Sequence, residues 1–154
     1  MVELIPKTNW QSDNKERKMK LMTATEKFLY NGKIKDEIRE NQELYKEANG
    51  IDLFANVEGS SVKSPECPNC GPWKNHWKEF SKVPWPNKCS VSTCNEIADR
   101  GGHVVCSGDK RGRRYIVPMC KVCNGKSPDK DFALDFGTVM ISANCSDTCD
   151  KFIK

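Results

Sequence analysis

Residues 89–126 read CSVSTCNEIADRGGHVVCSGDKRGRRYIVPMCKVCNGK, and the order of turns and strands in this stretch decides the fold. Two β-prone runs, at 103–106 and 114–117, are joined by a polar turn that contains two glycines. Such a pattern predicts a β-hairpin, and a lone hairpin buries too little area to fold by itself. The hairpin is bracketed by two cysteine pairs: Cys89 with Cys94, and Cys120 with Cys123.

The chain has nine cysteines, and all of them follow residue 66. Two further close pairs, here the outer pairs, flank the central stretch: Cys67 with Cys70, and Cys145 with Cys149. Cys106 belongs to no pair. A two-residue gap lets a tight turn, or knuckle, aim two thiolates at one ion about 2.3 Å from each sulfur. Four pairs therefore predict one or two zinc sites, the first from the pairs around the hairpin and the second from the outer pairs. His76, which follows the first outer pair, is either an additional ligand or a lone, partly exposed side chain.

The alternative to zinc is a disulfide framework. The odd cysteine argues against it, and residues 1–20 lack the apolar stretch of a secretory signal. We therefore expect an intracellular, cytoplasmic protein whose thiols stay reduced. A secreted disulfide-rich effector, with its signal already removed, remains the competing hypothesis. A thioredoxin-like role for a CxxC pair is disfavoured because neither pair follows a strand in a repeated βαβ pattern.

Composition limits the possible classes of protein. Of the 154 residues, 37% are hydrophobic and 30% charged, so the apolar core is modest and crosslinks must replace buried area. No apolar run approaches the roughly 18–20 residues of a membrane span, which excludes a transmembrane protein. Residues 1–66 carry 11 basic and 12 acidic groups, whereas residues 67–154 carry 14 basic and 9 acidic groups. The net positive charge of +4 therefore arises in the cysteine-rich part.

A change of composition at 60–65, SSVKSP, predicts a linker. It divides the chain into an N-terminal arm and helical segment at 1–64 and a cysteine-rich domain at 65–154. In the first part, Thr23 and Glu26 form a capping box for a short helix that Asn31-Gly32 ends. A second helix is expected over about 33–48, and its function is either to pack on the cysteine-rich domain or to bind a partner. Its apolar face comprises Ile34, Ile38, Tyr45 and Ala48, and Asn49-Gly50 follows as a stop.

The order is knuckle, hairpin, knuckle, then a polar segment from Asn124 through Leu134 that is expected to start a short helix, and this is the layout of a treble-clef zinc module. A strand is expected to follow over 135–142 and to bring the last cysteine pair back towards the first. The segments GGHV and YIVPMCKVCNGK resemble the HNH (ββα-metal) nuclease family in its zinc-containing form. They are also similar to small uncharacterised cysteine-rich proteins of bacteria and phages. The resemblance covers about 89–126 and implies an α+β fold: a small zinc-stabilised, HNH-like ββα domain with an N-terminal helical segment.

The resemblance also assigns roles, residue by residue. It implies that His103 is the general base and that Asn124 is a ligand of a catalytic Mg²⁺ or similar ion. The family's metal-binding aspartate corresponds to Gly102, however, and its central asparagine falls near 114–115, where the chain has Arg-Tyr. The zinc ligands thus match the family better than the catalytic residues do. We expect a non-catalytic zinc module, with an HNH-like nuclease as the alternative. If His103 is not a general base, it is either a zinc ligand in place of Cys94 or a packed side chain.

Four basic residues cluster at the predicted hairpin turn: Lys110, Arg111, Arg113 and Arg114. Such a cluster suits phosphate contacts or an acidic protein surface. Alternating Trp and Lys residues over 73–88 could stack on bases or simply pack a small core. The sequence therefore predicts a macromolecular partner, either protein or nucleic acid, contacted through the basic hairpin and the helical segment.

Overall fold

The computed structural model describes residues 21–57 and 66–153. Its mixed helix and strand content agrees with the expected α+β class. The helices are α1 (Ala24–Glu40), α2 (Trp73–Ser81) and α3 (Lys121–Asn124). The strands are β1 (Tyr45–Glu47), β2 (Leu53–Asn56), β3 (Arg100–Cys106), β4 (Arg114–Met119), β5 (Phe132–Ala133) and β6 (Val139–Ser142), followed by 3-10 turns at Cys145–Asp147 and Cys149–Lys151. Among these helices none has both the length and the apolar character needed to cross a bilayer.

The six strands form one antiparallel sheet in the order β1-β6-β4-β3-β2-β5. Strands β1 and β2 come from the predicted N-terminal segment, yet they pair with β6 and with β3. The N-terminal segment thus contributes an outer strand and an inner strand to the sheet that also carries the cysteine-rich part. The predicted arm at 1–20 and linker at 60–65 lie outside the described residues.

The central hairpin is confirmed. Strands β3 and β4 pair from Arg100↔Met119 to Val105↔Arg114, so each strand is longer than its sequence pattern indicated. The extension reaches Pro118, which has no N–H to donate; its carbonyl accepts a hydrogen bond from Ser90 N–H at 2.9 Å. The hairpin therefore connects directly to the loop that carries Cys89.

The N-terminal helix begins where expected. Thr23 is its N-cap, and Thr23 Oγ1 accepts the Glu26 N–H at 3.1 Å. The expected end at Asn31-Gly32 is wrong, because one continuous helix runs to Glu40. Asn31 makes two hydrogen bonds to Ile153, and these tertiary contacts offset the roughly 1 kcal/mol that a glycine costs inside a helix.

The predicted second helix over 33–48 is also wrong in its second half. Ile34 and Ile38 are buried on α1 as expected, but residues 45–47 form β1 and pair with β6. Tyr45 pairs with Ile141, so this segment is a strand although its apolar residues have helical spacing. The partner lies far along the chain, and local spacing therefore does not reveal it. Asn49 caps a turn instead of a helix end, since its Oδ1 accepts the Ile51 and Asp52 N–H groups at 2.9 Å.

Two smaller expectations also change. The helix after the second knuckle begins at Lys121 and ends at Asn124, and 132–133 forms β5 rather than continuing a helix. The strand expected over 135–142 is limited to Val139–Ser142. A turn precedes it, in which Thr138 N–H and Oγ1 both donate to the Asp135 carbonyl.

The sheet separates two cores. Strand β4 is buried over most of its length and sends alternate side chains to opposite faces: Tyr115 and Val117 belong to one core and Ile116 to the other. The first core also contains Cys89, Cys120 and Cys123 with Phe54, Val104, Met119 and Leu134. The second contains Cys67 and Cys149 with Ile34, Ile38, Trp73, Trp77, Phe80 and Ile141. The cysteine pairs around the hairpin and the outer pairs therefore lie on opposite faces of one sheet.

Glycine at position 101 is required by the close packing of α2 on β3. A Cβ at Gly101 would lie 2.6 Å from both Lys74 N and Trp73 C, which are backbone atoms. We expect Gly101→Ala to lower the free energy of unfolding by about 1–3 kcal/mol, because the helix must move off the strand. Urea denaturation followed by Trp fluorescence measures the change.

The matched control for this substitution is Gly108→Ala. A Cβ at Gly108 would have nothing within 4 Å, so we expect a change within about 0.5 kcal/mol. Equal unfolding midpoints for the two variants would contradict the close approach of α2.

Candidate metal centres

The first candidate centre, here the four-cysteine group, brings together the two pairs that bracket the hairpin. The ligand atoms of its four cysteines lie within 4.8 Å of one another. Three of the side chains are 0–4% exposed, and Cys94 is partly buried. The members are Cys89, Cys94, Cys120 and Cys123.

Backbone hydrogen bonds hold both knuckles of the four-cysteine group. Cys120 is the N-cap of α3, and Cys120 Sγ accepts the Cys123 N–H at 3.3 Å. The loop from Cys89 to Cys94 is closed by Cys89 N–H to Glu96 O at 2.8 Å and Cys94 N–H to Val91 O at 3.0 Å. The sulfurs are thus positioned by main-chain geometry.

The second candidate centre, here the cysteine–histidine group, lies on the opposite face of the sheet. Its four ligand atoms are also within 4.8 Å of one another, and the members are Cys67, His76, Cys145 and Cys149. Cys67 Sγ is 3.6 Å from Cys145 Sγ and 3.4 Å from Cys149 Sγ. The sequence predicted Cys70 as the fourth member; the structure places its sulfur 3.3 Å from Cys149 Sγ, beside the group.

His76 is fully buried, so the interpretation of His76 as a partly exposed side chain is wrong. It lies on α2, and its Nε2 is 2.8 Å from the Ser142 carbonyl of β6. Because a carbonyl only accepts, Nε2 carries a hydrogen, and Nδ1 faces the sulfurs at 3.1 Å from Cys149 Sγ. A metal-ligating histidine characteristically donates its other ring N–H to a carbonyl in this way.

The spacing of the sulfurs fits one ion per group. Sulfurs bound at about 2.3 Å with tetrahedral angles are about 3.8 Å apart. The Cys67–Cys145 distance of 3.6 Å and the Cys94–Cys120 distance of 3.7 Å are close to this value. No disulfide joins any of the nine cysteines, all of which lie in the described residues.

In each group at least one sulfur strongly disfavours the thiolate form. Burial and the neighbouring Cys67 raise the pKa of Cys145 to about 12, and the hydrogen bond between Cys149 and Cys70 together with burial raises the pKa of Cys149 to about 12. Burial also raises the pKa of Cys123. At neutral pH these sulfurs retain their protons unless a cation displaces them, so metal binding would release protons.

Asn56, which contacts the second knuckle of the four-cysteine group, is a residue that the sequence did not reveal. It is 4% exposed on β2, and its Nδ2 is 2.8 Å from Cys123 O, 3.3 Å from Asn124 O and 3.0 Å from Lys126 O. Asn56 thereby connects a strand of the N-terminal segment to the end of that knuckle. A lone asparagine in a strand gives no sequence signal for such a role.

The two residues to which the resemblance assigns catalytic roles, His103 and Asn124, border different cavities. His103 borders a cavity of about 420 Å³ that also contacts Arg114, whereas Asn124 borders a different one with Arg100 and Gly101. Neither candidate metal group includes His103. Its ring packs edge-on against Trp73, and burial and the charge of Arg114 lower the pKa of His103 to about 4.

The basic hairpin turn is partly neutralised within the chain. Arg111 and Arg113 both pair with Glu43, at 2.8 and 3.4 Å, and Arg113 Nε lies 3.0 Å from Asp109 Oδ2. Within the described part of the chain, Lys110 and Arg114 are exposed and form no ion pair with an acidic side chain. Only half of the predicted cluster therefore presents uncompensated charge.

Comparison of the chain with protein-family models, with curated protein sequences and with solved structures found no match. The resemblance to HNH nucleases therefore stays a prediction, and functional inference rests on the geometry of the two groups.

The contacts of Asn56 generate a testable prediction. Replacing it by alanine removes one donor from the carbonyls at the end of the second knuckle, and we expect Asn56→Ala to weaken metal binding at the four-cysteine group by about 10- to 100-fold. Competition against a chromogenic chelator measures the affinity.

Asn95→Ala is the control for this measurement. Asn95 adjoins Cys94 but is exposed, so its removal should leave the affinity unchanged. Equal affinities for the Asn56 and Asn95 variants would show that Asn56 has no part in holding the knuckle.

Proposed function

We propose that the chain is a non-catalytic zinc-binding module in which two Zn²⁺ ions hold the structure. The observation that carries the proposal is the presence of two separate groups of four sulfur or imidazole donors, one in each core. Four-coordinate sites of thiolates and imidazole with no open position are typical of structural zinc. Both groups offer four protein donors, which leaves no ligand position that a catalytic water would need.

The two groups would stabilise the fold by closing long loops. Cys67 and Cys149 are 82 residues apart in sequence, and Cys94 and Cys120 are 26 apart. An ion bound at each group removes conformational freedom from the unfolded chain and supplies folding energy that a modest core lacks.

The surroundings of the four-cysteine group support a treble-clef arrangement. A knuckle precedes the β3–β4 hairpin, and the second pair of ligands lies at the N-cap and in the first turn of α3. Helix α3 has only four residues, so the arrangement that we propose is a shortened one.

The packing at Gly102 favours the non-catalytic interpretation over a nuclease. The resemblance places the family's metal-binding aspartate at this position, yet a Cβ there would lie 2.0 Å from Met119 Sδ. The side chain of Met119 thus fills the space in which a carboxylate would have to lie. The fact that His103 and Asn124 border different cavities points the same way.

A protein partner is favoured over nucleic acid. Glu43 and Asp109 compensate two of the four basic residues at the turn, which weakens a phosphate-binding surface. Helix α1 exposes Phe28 and Leu29 at 77% and 64%, and neighbouring exposed apolar side chains are typical of protein contacts.

The zinc proposal predicts the metal content of protein purified without added metal. We expect two zinc ions per chain in the wild type and one in Cys89→Ser, because loss of one ligand opens only the four-cysteine group. Elemental analysis measures the content. Cys106→Ser is the control and should keep both ions, since Cys106 belongs to neither group. Metal-free protein that keeps its structure in a strong chelator would overturn the proposal, as would iron in place of zinc.

The partner proposal predicts where crosslinking occurs. A photo-crosslinking amino acid at position 28 of α1 should capture a protein, whereas the same group at Glu37 should not. Positions 28 and 37 are both exposed and lie about 180° apart around the helix. The two probes are therefore both accessible to solvent but face opposite sides of α1. Crosslinking in cells that express the protein, followed by mass spectrometry, detects the adduct. Adducts with nucleic acid, or equal protein adducts at both positions, would contradict this proposal.

A further inference from the structure

The cysteine–histidine group has a surplus donor, and the four-cysteine group has none. Cys70 Sγ lies 3.3 Å from Cys149 Sγ, so five donors surround a site that needs four. We propose that Cys70 is a peroxide-sensitive thiol that forms a disulfide with Cys149 and thereby releases the ion of this group. The inference rests on the proposed function, because it requires that the ion is bound.

Cys70 is a sulfur of this cluster that an oxidant can approach. Cys70 and Cys145 are both partly exposed, whereas Cys67 and Cys149 are each 2% exposed. Of the two partly exposed sulfurs, Cys70 is the one that borders an open cavity of about 510 Å³, whose walls also include Cys149 and Lys78. A molecule the size of hydrogen peroxide reaches Cys70 through this cavity while the protein remains folded.

The geometry of the knuckle keeps Cys70 beside its partner. Cys70 N–H lies 3.4 Å from Cys67 Sγ, and the Cys67 and Gly71 backbones exchange hydrogen bonds at 2.7 and 3.0 Å. These contacts fix the loop that carries Cys70, so its sulfur stays within reach of Cys149. The reaction therefore needs little rearrangement of the chain.

The reaction that we propose has two steps. The sulfur of Cys70 attacks one oxygen of hydrogen peroxide and the O–O bond breaks, which gives Cys70 sulfenic acid and one water. The metal-bound thiolate of Cys149 then attacks the sulfur of Cys70 and the S–O bond breaks; the departing hydroxide takes a proton from the solvent and becomes a second water. In total, one thiol and one thiolate lose two electrons, one proton is taken up from the solvent, and hydrogen peroxide is reduced to two waters.

The product removes one of the four ligands. Cys149 in a disulfide no longer offers a thiolate, so the ion keeps only Cys67, His76 and Cys145 and its affinity falls. The four-cysteine group has no surplus thiol of this kind. The two centres should therefore differ in their response to the same oxidant.

The experiment uses the full chain loaded with zinc and exposed to hydrogen peroxide. A chromogenic chelator follows zinc release, and mass spectrometry of peptides prepared without reductant locates the disulfide. We expect the wild type to release one of its two ions with a disulfide between Cys70 and Cys149. Treatment with a dithiol and fresh zinc should restore the second ion.

Two variants make the test specific. Cys70→Ser should hold two ions and release the labile one roughly tenfold or more slowly, because the neighbouring thiol is gone. Cys106→Ser, which removes a cysteine outside both groups, should behave as the wild type.

The metal content before oxidation separates this inference from the proposal on which it rests. A wild type without zinc would overturn both. A wild type with two ions and a Cys70→Ser variant with one would show that Cys70 is itself a required ligand, and would overturn the inference alone. Simultaneous release of both ions, a disulfide elsewhere, or unchanged kinetics in Cys70→Ser would do the same.

Discussion

The burial of sulfur beside sulfur is the constraint on which the rest of this structure depends. Five of the cysteines are at most 4% exposed, and in each group the sulfurs approach to less than 4 Å. Negative charges cannot gather there without a compensating cation, and neutral thiols form only weak hydrogen bonds. A divalent ion would resolve this conflict, because it would replace several protons with one doubly charged centre in the cluster. Each core of this chain thus contains one group of donors that could hold a cation.

Position in the fold gives the two groups different surroundings. The four-cysteine group is formed mainly by main-chain geometry around one hairpin, with Asn56 added from β2. The cysteine–histidine group joins the α2 region to the turns that follow β6, and the Ser142 carbonyl orients its histidine. The first is therefore a local feature and the second a long-range one. An ion bound at the cysteine–histidine group would hold the C-terminal turns, whereas the hairpin has its own support from the pairing of β3 with β4.

Local patterns in the sequence predicted much of this architecture. The hairpin, the Thr23 cap and the partnership of the inner cysteine pairs depend on neighbouring residues, which a single sequence reveals. The change from helix to strand at Tyr45 depends on Ile141, and the continuation of α1 past Gly32 depends on Ile153. These partners are distant along the chain, so their effect could not be read from periodicity. His76 enters the second group only because α2 packs on β6, which also explains why Cys70 lies beside that group.

Strand β4 separates the two cores by the thickness of one sheet. Ile116 and Val117 are adjacent in sequence, yet each is fully buried on a different side. The two cores of the molecule consequently share this strand. A shift of the backbone along this strand would alter the packing against both clusters of sulfur at once, so heating should melt the two sides as one cooperative unit.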